Sequence, residues 1–170
     1  RCGKSSLLDL IRMTIESEGV AGRGFVSVNL ESKGTGIKTE DQLYDYVRGR
    51  LSDKGRTYVF IDEPQRIDGW QDAVNAMRVD FDCDIYLTGS NAYLLSSELA
   101  TYLSGRYVEV KMLPLSFSEF ADFCGIEFVS GTSVALTPEG DPVLFDDMLT
   151  RYLEYGGMPA IASLSTTQAQ

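Results

Sequence analysis

Histidine is absent from these 170 residues. Its absence removes the usual general base and the commonest metal ligand, so any catalysis draws on carboxylates, lysine, arginine, hydroxyls or a metal ion. Cysteine is scarce. Cys2, Cys83 and Cys124 are widely spaced and odd in number, which argues against a disulfide framework, and no histidine completes a zinc site of the usual kind. They read as free thiols in a reducing cytoplasm. Basic residues are outnumbered, with 15 Lys and Arg against 25 Asp and Glu and a net charge of −10. That field opposes a duplex, whose affinity depends on Lys and Arg replacing counterions, so no direct nucleic-acid binding is expected. No apolar run is long enough to span a bilayer, so no membrane association is expected either. The first residues, Arg1-Cys2-Gly3-Lys4, lack an initiator Met and a signal-peptide pattern, and residues upstream of them are expected.

An apolar fraction of 44% and a charged fraction of 24% are those of an ordinary globular domain. Leu7, Leu8, Ile11 and Ile15 share one helical stripe over residues 5–17. Alternation from Phe25 to Leu30 predicts a strand. Thr39 can cap a helix carrying Leu43, Val47 and Leu51. The run Tyr58-Val59-Phe60-Ile61 is apolar throughout, as in a parallel strand covered on both faces, and it stops at Asp62. Beyond Pro64, which can open a helix at its first turn, Ile67, Trp70, Val74, Met77 and Phe81 recur at helical spacing. Ile85 to Leu87 predict another buried strand, ending in Thr88-Gly89-Ser90-Asn91, with a helix expected over 92–103. Tyr107 to Met112 alternates strictly and predicts an edge strand. A helical stripe follows at Phe117, Phe120, Ala121 and Cys124. A long loop or small hairpin is expected over 127–141, then a helix over 144–155 broken by Gly156, Gly157 and Pro159. Strands alternating with helices of this length predict an α/β domain with a mainly parallel sheet.

Gly3-Lys4-Ser5 matches the last three positions of a Walker A loop and leads directly into a helix. In that setting Gly3, Lys4, Ser5 and Ser6 would contact the phosphates. Lys4 would reach the β- and γ-phosphates of ATP, and Ser5 would ligate Mg²⁺. The competing reading of Ser5 is an ordinary helix cap. About sixty residues on, an apolar strand ends in two acids, Asp62-Glu63, on the rim where parallel sheets bind ligands. In the Walker B role Asp62 would hold Mg²⁺ through its water shell, and Glu63 would polarise the attacking water. An acidic turn capping the next helix is the alternative. Ser90 and Asn91 could hydrogen-bond that water or the γ-phosphate, or cap the following helix. Arg106 could neutralise charge on a phosphate held by a neighbouring subunit, which would make hydrolysis require a homo-oligomer. It could equally pair with Glu109 at the surface.

In order, these pieces resemble the AAA+ superfamily of P-loop ATPases. More narrowly they resemble a prokaryotic family of AAA-domain ATP-binding proteins whose core is followed by a C-terminal domain of uncertain role. The matches are Arg-x-Gly-Lys-Ser, Ile-Asp-Glu-x-Gln with a nearby Trp (Ile61, Asp62, Glu63, Gln65, Trp70), Leu-Thr-Gly-Ser, and Gly105-Arg106 followed by Leu-Pro-Leu-Ser-Phe-x-Glu (Leu113 to Phe117, Glu119). Tyr155-Gly156-Gly157-Met158-Pro159 completes them. The resemblance implies a three-layer α/β/α fold with five parallel strands in the order 5-1-4-3-2, and makes the segment from Tyr107 the fifth. The first, central strand and the first Gly of the Walker A loop are missing here. Losing that strand would leave two rows of backbone groups without partners, unless a strand comes from elsewhere. The expected organisation is an ATPase core over 1–125 and a loop plus helical segment over 126–170, beginning a lid or linker. The expected activity is Mg²⁺-dependent ATP hydrolysis that changes the grip on a protein partner of unknown identity. A non-hydrolysing nucleotide-gated switch is the other reading. A P-loop kinase fits less well, because such kinases usually lack a Glu directly after the Walker B Asp.

Overall fold

Alternation becomes structure first in β1 (Phe25–Asn29), where Val26 and Val28 are buried and Ser27 and Asn29 exposed. The computed structural model describes residues 3–19, 24–89 and 105–162. β1 pairs in parallel with β2 (Thr57–Asp62), and β2 with β3 (Cys83–Thr88), in the order β1-β2-β3. Parallel neighbours need crossovers, and helices supply them. α2 (Glu40–Arg48) links β1 to β2, and α3 (Trp70–Asp80) links β2 to β3. Counted as strands 2, 3 and 4 of the expected order, the three lie in the expected sequence of neighbours.

One face of this sheet carries the core. Val26, Val28, Val59 and Ile61 pack with Leu43 and Val47 of α2 and with Trp70, Val74 and Met77 of α3, all nearly or fully buried. On the other face aromatic rings pair across the strands, Phe25 with Tyr58 at 5.5 Å between centroids and Phe60 with Tyr86 at 4.9 Å. Such cross-strand pairs add to the burial itself. α1 (Lys4–Ser17) keeps Leu7, Leu8, Ile11 and Ile15 only half-buried. Its Arg12 guanidinium lies 5.7 Å from the centre of the Phe25 ring.

Local chemistry sets the ends of these elements. The Thr39 hydroxyl accepts the Gln42 N–H at the start of α2. Pro64 opens a single 3-10 turn, Pro64–Arg66, and not the long helix expected after it. Ile67 then takes an extended conformation that drops its side chain into the core, and Gly69 turns the chain at φ 75° before α3 begins at Trp70. A second expectation also changes. Residues 107–112 form no strand, and Val108 and Val110 stand exposed. An alternating segment becomes a strand only where a neighbour accepts its hydrogen bonds, and among the described residues none does. The helix expected over 92–103, with Ser90 and Asn91, lies outside the described residues.

The chain divides into two compact units, Lys4–Glu109 and Val110–Gln170 with residues 1–3. The second unit contains α4 (Phe117–Phe123), the antiparallel β4 (Glu127–Phe128), β5 (Val134–Leu136) and β6 (Pro142–Leu144), α5 (Phe145–Tyr155) and the short α6 (Pro159–Ala162). Its core is Phe120, Ala121, Ile126, Ala135 and Met148. α4 begins with a reciprocal cap: the Ser116 hydroxyl accepts the Glu119 N–H, and the Glu119 carboxylate accepts the Ser116 N–H at 2.8 Å. The bonds from the Ser116 backbone and hydroxyl hold the Glu119 carboxyl below its ordinary value. Leu115 and Gly157 meet through a 2.7 Å backbone bond, and the Tyr152 hydroxyl donates to the Leu115 carbonyl at 2.9 Å. A Cβ on Gly157 would strike that same carbonyl.

The buried Met77 tests the first core. Met77→Ala should lower the stability of the Lys4–Glu109 unit by about 2–5 kcal/mol. Urea unfolding followed by the fluorescence of Trp70, the chain's one tryptophan, measures it. A loss under about 0.5 kcal/mol, the range of a neutral surface change, would contradict the packing described.

Candidate functional site

Parallel strands deliver their C-terminal ends to one rim, and here register delivers three polar residues in one row. Asn29 stands opposite Asp62, and Asp62 opposite Thr88. The central carboxylate collects its neighbours. The Thr88 hydroxyl donates to Asp62 Oδ1, and Asn29 Nδ2 donates to Oδ2 at 3.2 Å. A fourth group arrives from 57 residues away, the Ser5 hydroxyl in the first turn of α1, which donates to Oδ2 at 2.9 Å. The ladder continues past the strand ends, with Leu30 N–H on the Asp62 carbonyl and Glu63 N–H on the Thr88 carbonyl, both at 3.0 Å.

Glu63 follows in an unusual backbone state. Its φ of 58° and ψ of 49° are left-handed, and among the described residues it is the only one other than glycine with a positive φ. An L side chain in this region costs about 1–2 kcal/mol, and the proline after it further restricts the backbone. The conformation lets the chain leave β2 abruptly and start the Pro64–Arg66 turn beside the rim. The Glu63 carboxylate is half-buried, and its Oε2 accepts a hydrogen bond from Gln65 Nε2.

The other residues named from sequence fall as follows. Lys4 is the first residue of α1, half-buried and in no ion pair among the described residues. Ser6 is exposed in the same turn, and Gly3 has a φ of 91°. The first turn of α1 contains no acid of its own, unlike the first turns of α2, α3 and α5, and the carboxylate at the positive end of its dipole is that of Asp62, brought there from β2. Arg106 is exposed beside Gly105 and pairs with no acid among the described residues, Glu109 included. Ser90 and Asn91 lie outside the described residues. Local sequence pattern gives Asn29, Thr88 and Gln65 no chemical role. The available signal was that Asn29 and Thr88 end their strands as Asp62 ends its own.

Ser5 Oγ and Asp62 Oδ2 are the pair to test against a metal. Mg²⁺ takes hard oxygens in an octahedron at about 2.0–2.1 Å and is usually held by one or two protein groups, with water and phosphate completing it. Neighbouring corners of that octahedron stand about 3 Å apart. The observed 2.9 Å hydrogen bond places the two oxygens at this spacing, so Ser5 fits a direct ligand and Asp62 fits either a direct ligand or an acceptor for the ion's water shell.

A family model described as an AAA domain matches residues 1–121. An uncharacterized protein of Haemophilus influenzae is 39% identical over 163 residues, covering 95% of this chain and 38% of that protein. An uncharacterized protein of Methanocaldococcus jannaschii is 33% identical over 137 residues, covering 81% of this chain and 30% of its own length. The chain thus spans well under half the length of either relative. No solved structure matches it.

The backbone at residue 63 predicts an inverted stability effect. Glu63→Gly should raise stability by roughly 0.5–1 kcal/mol, because glycine adopts this φ without the steric penalty, less its greater unfolded-state entropy. Chemical denaturation of the two proteins measures the difference. A variant less stable than the parent would show that the Glu63 side chain contributes more than its backbone costs.

Proposed function

The chain belongs to the AAA-domain family, and from that premise we propose that it binds ATP with Mg²⁺ and hydrolyses it. The observation that carries this reading is the hydrogen bond between Ser5, at the start of α1, and Asp62, at the end of the central strand. A helix start and a strand end far apart in sequence bring together the hydroxyl and the carboxylate with which a P-loop ATPase holds Mg²⁺. Asn29 and Thr88 hold the Asp62 carboxylate from two further directions, so it is oriented before any nucleotide arrives. When bound, Mg²⁺ neutralises charge on the phosphates. Lys4 and the acid-free first turn of α1 supply the positive end that favours those phosphates. Glu63, one residue beyond Asp62, is the carboxylate that orients and polarises the attacking water. Gly3 and Ser6 contact the phosphates, and Ser90 and Asn91 sense the γ-phosphate.

The work done with this energy is a change of grip on a protein partner, carried out in the cytoplasm. No helix among the described residues is long and apolar enough to cross a membrane. The domain organisation we propose places the ATPase core in the unit Lys4–Glu109 and the beginning of a lid or linker in the unit built on Phe120, Ala121, Ile126, Ala135 and Met148.

Turnover assays on the full-length protein decide the matter. Wild type should hydrolyse ATP only with Mg²⁺, Lys4→Ala should lose nucleotide binding, and Glu63→Gln should bind nucleotide while turning over at least about a hundredfold more slowly. Nucleotide binding by wild type without turnover at any protein concentration would replace this reading with the non-hydrolysing switch.

Arg106 is exposed and free of acidic partners among the described residues, which suits a role toward a nucleotide on a second copy of the chain. The rate per molecule should therefore rise with protein concentration, and Arg106→Ala should lower the plateau by about a thousandfold. A rate per molecule independent of concentration would exclude that role.

A further inference from the structure

Gln65 hydrogen-bonds the one carboxylate assigned to water activation. The structure points to Gln65 as a positioning residue for Glu63, and we propose that its amide fixes the carboxylate so that one oxygen remains to orient the attacking water. This inference rests on the hydrolytic reading of Glu63 and extends it.

Both ends of the contact are anchored. Glu63 is held by its left-handed backbone and by the bond from its N–H to the Thr88 carbonyl, at 3.0 Å. Gln65 sits in the middle of the Pro64–Arg66 turn, which closes through Arg66 N–H on the Glu63 carbonyl at 3.1 Å and Ile67 N–H on the Pro64 carbonyl at 3.0 Å. Pro64 and Ile67 on either side are buried, so the turn is pinned to the core and holds the Gln65 backbone beside Glu63. Gln65 Nε2 donates to Glu63 Oε2, and Glu63 Oε1 accepts no hydrogen bond from the described residues.

The amide's other end shows that this arrangement is not an economy of folding. Gln65 Oε1 is buried and has no hydrogen-bond partner among the described residues. An unpaired buried acceptor is destabilising, and a hydrocarbon side chain of the same length would avoid the penalty. A residue that spends its donor on a carboxylate while its acceptor stays unsatisfied fits a role at the site better than a role in stability. A general base works only within hydrogen-bond reach of the proton it takes, so fixing its rotamer affects the chemical step more than nucleotide affinity.

The test is Gln65→Met in the full-length protein, with Gln65→Ala beside it, each made also in a Glu63→Gln background. Methionine keeps the length and packing of glutamine and removes both polar ends. Expected for Gln65→Met are a kcat lower by about ten- to a hundredfold, a KM for ATP within about twofold of wild type, and an unfolding midpoint no lower than wild type. In the Glu63→Gln background neither substitution should lower the residual rate further, since the group being positioned is gone. An unchanged kcat, or the same fold loss in both backgrounds, would overturn the positioning role while leaving the hydrolytic reading intact. Wild type without Mg²⁺-dependent turnover, or Glu63→Gln at the wild-type rate, would overturn that reading and this inference with it.

Discussion

Asp62 is the point on which the first unit turns. It ends the central strand, and the parallel register places Asn29 and Thr88 level with it on either side, so one carboxylate accepts hydrogen bonds from both flanking strands. The same carboxylate accepts the Ser5 hydroxyl and thereby ties the start of α1 to the rim. Hydrogen bonds to a charged acceptor are stronger than those between neutral groups. A half-buried carboxylate with three such donors is both a structural knot and a preformed ligand. A one-residue slip of either neighbouring strand would turn its rim side chain to the opposite face and undo the row.

That register is enforced on the far face. Val26, Val28, Val59 and Ile61 must point toward α2 and α3 to be buried, so the polar strand ends must reach the rim together. The order of neighbours follows from the helical crossovers. Burial of Trp70, Val74 and Met77 clamps α3 to the sheet, and the short turn at Pro64–Arg66 between β2 and α3 is pinned by Pro64 and Ile67. Glu63 lies at the join and bears the strain, the one described non-glycine residue with a left-handed backbone. Strain of this kind persists only where its surroundings over-determine it, and such places cluster at functional sites.

Two sequence motifs in the second unit have structural explanations. Ser-Phe-x-Glu is a capping box in which Ser116 and Glu119 satisfy each other's backbone at the start of α4. Tyr-Gly-Gly-Met-Pro brings Gly157 against the Leu115 carbonyl, an approach that any side chain at 157 would block. Pro159 opens the short helix that follows, where its missing N–H costs nothing. The S-x-x-E signature was legible in the sequence. The Gly157 contact was not, since it depends on a partner 42 positions earlier in the chain.

The sequence by itself determined the helices and strands whose apolar periodicity is long and clean: α1, α2, the three parallel strands, and the helical stripes at Phe117 and over 144–155. It also named the residue types of the candidate site, because a Gly-Lys-Ser helix start and an apolar strand ending in two acids carry their chemistry in local order. Only the tertiary structure decided which of these groups meet. That Ser5 reaches Asp62, that Asn29 and Thr88 flank it, and that Gln65 grips Glu63 depend on strand register and on one left-handed peptide, which no local pattern encodes. Residues 107–112 mark the opposite case. Their alternation is a true strand signal, but a strand exists only where a neighbour accepts its hydrogen bonds, and among the described residues none does.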